Sequence, residues 1–157
     1  MRTVFLDIDG VLNSVSSFIY SNRMHLLGLT QDFSHESMCP IACSNLQYVL
    51  EECPDIKLVI SSTWRKYYSL EEIKAKFDRY GVDSSRIVGM NPIDSSYRGK
   101  EIQEYLDLHP EITQFAILDD DSDMEPNMER LVKVDSRNGF TFTDAEKLIE
   151  MLGEKDG

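Results

Sequence analysis

Asp7 and Asp9 stand two residues apart in TVFLDIDGVLN (residues 3 to 13), just after the apolar Val4, Phe5 and Leu6 and just before Gly10. An unpaired carboxylate is costly to bury and two neighbouring ones are worse, so the pair calls for a partner. Further along, SSTWR (61–65) and DDDSD (119–123) each close an apolar run, and RGK (98–100) opens a stretch of helical period. In chain order the inventory is Asp-x-Asp, Ser, Lys, Asp-Asp. That set suits attack on a phosphate ester. Asp7 is ionised at neutral pH and can attack phosphorus. Asp9 can give a proton to the leaving alcohol and later take one from water. Ser61 can hydrogen-bond a phosphoryl oxygen, and Lys100 can neutralise charge that develops there. Asp119 and Asp120, with Asp7, supply oxygen ligands suited to Mg²⁺.

Each feature has a plainer reading. DIDG by itself is a turn after a strand, since Asp and Gly are turn residues; the later residues in order are what lift it above that. DDDSDMEPNMER resembles a calcium loop only in its first acids. Met124 falls where Gly is required and Arg130 where the bidentate Glu belongs. Lys100 sits beside Glu101 and Glu104, as a surface lysine does. Trp64 and Arg65 follow a strand end and are types common at recognition sites. With Ser62, Gly10 and Arg98 they make up the expected substrate contacts. A zinc set of His35, Cys39 and Cys43 lacks a second Cys pair, and Pro40 is expected to break the helix that would align it.

These residues need elements to bring them together. The apolar, β-rich runs are TVFLDI (3–8), IKLVIS (56–61), RIVGM (86–90), QFAILD (114–119) and RLVKVD (130–135). Helical periodicity predicts helices at about 43–53, 70–80, 99–108 and 143–152. Pro54 and Asp55 end the first; Ser69 with Glu72 caps the second and Gly81 ends it; Thr143 with Glu146 caps the last. Strands alternating with helices predict an α/β three-layer sandwich, with a mainly parallel sheet covered on both faces. Ligands of such sheets bind beyond the carboxyl ends of the strands, which is where the acids fall. Residues 14–42 read as one long irregular insertion, and 89–100, punctuated by Gly and Pro, as a rim loop.

The ordered motifs resemble those of the haloacid dehalogenase-like phosphohydrolase superfamily. DIDGVLN looks like its first motif, LVISS its second, Lys100 in RGKEI its third, and AILDDDSD its acidic fourth. SSTWR and VKVDSRNGFTFTDAEKLIEML are similar to the domain found in multi-part RNA-repair proteins. The resemblance implies one Rossmann-like domain over residues 1–157, without a large cap, residues 14–42 being a small insertion. It also implies an aspartyl-phosphate on Asp7, with Asp9 as acid and base. Mg²⁺ would be held by Asp7, the Asp9 carbonyl and an acid of the fourth motif. Asp119, Asp120 and Asp123 all remain candidates for that last ligand. Ser61 and Ser62 both remain candidates for the phosphate contact, Ser61 being favoured because it ends the apolar run.

Composition narrows the class. The chain is 41% hydrophobic and 28% charged, as a globular protein is. No apolar run approaches the roughly 20 residues that span a bilayer. Three cysteines in a domain of this size are expected as reduced thiols, and a cytoplasmic setting is expected. The net charge of −12, from 16 basic and 28 acidic residues, opposes a tight grip on a polyanion. The expected partner is therefore a phosphorylated substrate. A nucleic-acid end fits the resemblance but gains nothing from the charge. A small-metabolite or nucleotide phosphatase is the first alternative, and a catalytically silent phosphate-binding module the second. A receiver-type signalling domain places its paired acids before the phosphoacceptor strand, the reverse of the order here.

Overall fold

The computed structural model of the chain describes residues 1–29, 38–93 and 96–153. Its centre is a parallel sheet of five strands: β1 (Arg2–Leu6), β2 (Lys57–Ile60), β3 (Ile87–Met90), β4 (Gln114–Asp119) and β5 (Leu131–Lys133). They lie in the order β3-β2-β1-β4-β5. The helices are α1 (Val15–Leu26), α2 (Pro40–Glu52), α3 (Leu70–Arg79), α4 (Arg98–Leu108) and α5 (Phe142–Leu152).

Side chains alternate across a strand, and two cores follow from that period. Val4, Leu6, Leu58, Ile60, Ala116 and Leu118 pack with Leu46 and Leu50 of α2, Phe77 of α3 and Leu148 of α5. One residue out of phase, Phe5, Val59 and Ile117 pack with Ile102 and Tyr105 of α4. Helices thus cover both faces, and the architecture is a Rossmann-like α/β sandwich.

The chain runs from β1 outward to β3 on one side and crosses to β4 and β5 on the other. Leu6 lies opposite both Ile60 and Leu118, so the residues that follow these strands emerge at one level. The ladder also runs on past them. The Asp7 N–H donates to the Leu118 carbonyl at 2.9 Å and the Ser61 N–H to the Leu6 carbonyl at 2.8 Å.

Several boundaries differ from the sequence expectation. The insertion at 14–42 contains helix α1, begun by a capping box between Ser14 and Ser17. No residue of α1 is buried, so no core-facing stripe marked it. Pro40 starts α2 instead of breaking it, because the first helical position needs no N–H. α5 uses the box of Thr141 and Asp144. The pattern Thr-x-x-acid occurs twice, two residues apart, and Phe142 packing on Tyr48 at 5.2 Å goes with the earlier start. Part of the expected insertion (30–37, with His35) and part of the expected rim loop (94–95) lie outside the described residues. Among the described residues, no helix is long and apolar enough to cross a membrane.

The α4 face depends on Phe5, which meets Tyr105 and Phe115 edge-on at 5.7 and 6.0 Å. Phe5→Ala is expected to cost about 3–5 kcal/mol in urea denaturation. A loss below ~1 kcal/mol would show that α4 is held by something else.

Candidate active site

Asp7 directly follows β1 and Asp119 ends β4, so they stand side by side where the strand order reverses. In open α/β sheets that crevice is where ligands bind. One oxygen each of Asp7, Asp119 and Asp120 lie within 4.8 Å of one another. Asp7 and Asp119 are buried, and Asp120 is half-buried. The turn after β1 leaves no room for a side chain. Gly10 has φ +83°, and a Cβ there would collide with the Asp120 carboxylate.

Among the described residues, one guanidinium enters this cluster. Arg98 lies 3.2 Å from Asp119 Oδ2 and 3.8 Å from Asp7 Oδ1. Glu101, one turn along α4, holds it at 3.5 Å and also binds Arg65 at 3.3 Å. A single positive charge does not balance the carboxylates. Burial, and then the neighbouring Asp119, push Asp7 up to about 9 against the pull of Arg98. Burial likewise raises Asp119 to about 7, opposed by the Asp121 N–H and Arg98. The donor set is carboxylate oxygen throughout and short of positive charge. Those properties fit a hard divalent cation.

Asp9 is held differently. Its side chain is exposed, and its Oδ1 accepts from Trp64 Nε1 at 3.1 Å and from Asn13 Nδ2 at 2.9 Å. The Gly10 N–H closes the turn by donating to Asn13 Oδ1 at 2.9 Å. Ser61, next to β1 through its N–H to the Leu6 carbonyl, is buried, and its Oγ has no hydrogen-bond partner among the described residues. The Ser62 hydroxyl is committed, accepting from the Trp64 N–H at 3.2 Å. A pocket of about 240 Å³ is lined by Asp7, Asp9, Thr63, Arg98, Asp119, Asp120, Asp121 and Asp123; Ser61 and Ser62 precede Thr63 in the chain and do not line it.

Other expected residues sit elsewhere. Lys100 is not brought to the pocket: its ammonium bonds Ser96 Oγ at 3.2 Å and pairs with Glu104 at 3.9 Å, half-exposed. Arg98, two residues earlier at the first position of α4, takes the place expected for it. Trp64 is 5% exposed and turned inward onto Asp9. Arg65 is likewise inward, bonded to the Ser62 and Asn91 carbonyls at 2.7 Å each. Asp123 lines the pocket but stays out of the carboxylate cluster. It caps α4, accepting from the Arg98 N–H at 3.3 Å on its carboxylate and from the Gly99 N–H at 2.8 Å on its carbonyl. That position suits an acid at a helix N-terminus. The sequence reading passed over Asn13, Thr63, Asp121 and Glu101. Thr63 and Asp121 stood inside the quoted motifs. Asn13, at the end of DIDGVLN, and Glu101, beside Lys100, carry no local signal of the contacts they make.

Residues 3–145 match the family described as the HAD domain in Swiss Army Knife RNA repair proteins, and the chain belongs to that family. No curated protein and no solved structure gave a match.

The raised carboxyls set a sign for pH. Each keeps its proton in the fold above its ordinary value of 3.8. Their contribution to stability is complete below that value and is lost as pH climbs through the raised range. In metal-free protein, wild type should therefore lose about 1–2 kcal/mol more than Asp7→Asn between pH 5 and pH 8, read by urea unfolding in EDTA. Parallel pH profiles for the two proteins would contradict this. At pH 8, Mg²⁺ should raise the melting temperature of wild type more than that of Asp7→Asn.

Proposed function

We propose that this chain is a Mg²⁺-dependent phosphomonoester hydrolase that works through an aspartyl-phosphate on Asp7. The observation that carries this reading is the meeting of Asp7, Asp119 and Asp120 at the strand-order reversal, with Asp9 fixed two residues away. Family membership supports the hydrolase class. Asp7, Asp119 and Asp120 would hold the cation, which would neutralise the carboxylates and polarise the phosphoryl oxygens.

The chain's own groups divide the remaining work. The ionised Asp7 is the nucleophile. Asp9 protonates the leaving alcohol and later deprotonates water. Arg98, rather than Lys100, supplies the fixed positive charge that faces the phosphoryl group. The Ser61 hydroxyl, buried and without a protein partner among the described residues, is the reserve hydrogen-bond donor beside Asp7.

We read the chain as one domain of this family, with residues 14–42 a small insertion in place of a large cap. An open site admits bulky substrates, and the family's description points to RNA ends. The net charge of −12 opposes extended backbone contacts. The substrate class that satisfies both is a terminal phosphate on a nucleic acid, gripped at its end only.

Wild-type protein with Mg²⁺ is expected to hydrolyse p-nitrophenyl phosphate. EDTA should abolish turnover, Asp7→Asn should lower kcat at least ~10³-fold, and Arg98→Ala should lower it ~10²-fold. Equal activity in wild type and Asp7→Asn would remove the covalent step. On a panel of phosphorylated oligonucleotides, nucleotides and sugar phosphates, terminal phosphates should be preferred. A preference for hexose phosphates would move the reading to the small-metabolite class.

A further inference from the structure

We propose that Trp64 is a positioning residue that decides which oxygen of Asp9 exchanges the proton with the substrate. This rests on the phosphatase reading of the same site. Among the described residues, the two side-chain donors that reach Asp9, the Trp64 indole at 3.1 Å and the Asn13 amide at 2.9 Å, both end on Oδ1. The amide orientation is fixed by a third contact. The Gly10 N–H donates to Asn13 Oδ1 at 2.9 Å, so the NH₂ side must face Asp9.

An oxygen that already accepts two N–H bonds is a poor seat for a proton, which would crowd both donors and take up a lone pair they use. Oδ2 is left to carry it. The torsion that turns a carboxylate is broad and roughly two-fold, so without these bonds either oxygen could present itself. With them, the orientation is set.

Trp64 is well placed to hold still. Its backbone N–H is capped by Ser62, its ring packs on Tyr68 at 5.5 Å between centroids, and the Lys76 ammonium lies 5.8 Å over it. These contacts use the backbone and the ring face. The bond to Asp9 uses the indole N–H.

The proton accounting is direct. As an Asp7 oxygen bonds to phosphorus, the bond from phosphorus to the leaving oxygen breaks, and that oxygen takes the Oδ2 proton, leaving Asp9 a carboxylate. Water then attacks phosphorus and gives a proton to Oδ2. The Asp7–phosphorus bond breaks, inorganic phosphate leaves, and both aspartates return to their starting states.

The test compares leaving groups. p-Nitrophenolate departs without a proton, whereas an alkyl alkoxide needs one. Trp64→Phe keeps the ring and removes the donor. Its kcat for an alkyl phosphate is expected to fall about 10-fold further than its kcat for p-nitrophenyl phosphate, a fraction of what general acid catalysis supplies. An equal loss on both substrates overturns the inference and leaves the phosphatase reading standing. Wild type inert on both substrates overturns both. A second measurement needs no turnover. Trp64 is the one tryptophan of the chain, so its indole N–H gives a single resonance in a ¹⁵N-edited NMR spectrum. Asp9→Ala should move that resonance upfield. A resonance that stays put overturns the contact on which the inference stands.

Discussion

Two carboxylates at the ends of adjacent parallel strands repel each other where burial leaves little water to screen them. The rest of the site is an answer to that repulsion. Register puts Asp7 and Asp119 there, since the β1–β4 ladder runs on into the Asp7 N–H and the Leu118 carbonyl. A buried like-charge pair shifts toward its protonated form unless positive charge is brought in. Among the described residues, the fold brings in one guanidinium, which does not balance the carboxylates.

The guanidinium is itself expensive to place. Arg65 and Arg98 share Glu101, which is 4% exposed, in a buried Arg–Glu–Arg arrangement. Such groups contribute little net stability, because desolvation offsets their attraction. Their effect here is orientation. Glu101 anchors Arg98 from one turn along α4, and Asp123 caps the same helix from the acidic loop. A Cβ at Gly99 would run into the backbone at Met124 and Glu125, so the loop lies directly against the start of α4. The loop that supplies the acids thus also fixes the helix that supplies their counter-charge.

The two aspartates of the first motif, two residues apart in sequence, are set in different surroundings. Asp7 is buried among carboxylates and Arg98; Asp9 is exposed and tied to Trp64 and Asn13. Gly10 separates them by a turn that only a residue free to take positive φ, and without a Cβ, fits easily.

The strands, the parallel class and the acidic rim are legible in the sequence, because those rest on local patterns. Apolar runs of β-forming residues mark the strands, and strand ends followed by polar residues mark the rim. The family is legible too, through motifs that stay in order from Asp7 to Asp123. Which members of each motif meet depends on packing between distant segments. RGK offered two cations, of which the motif pointed to Lys100, and helix geometry turned Arg98 toward the acids and Lys100 toward Glu104. DDDSD offered several acids, and the end of β4 put Asp119 and Asp120 in the cluster and Asp123 on the helix cap. SSTWR offered a tryptophan, whose ring turned inward onto Asp9. α1, with no buried face, left no pattern to read. Which way a side chain points at a loop or a helix start depends on what packs beside it from distant parts of the chain, and local sequence carries no record of that.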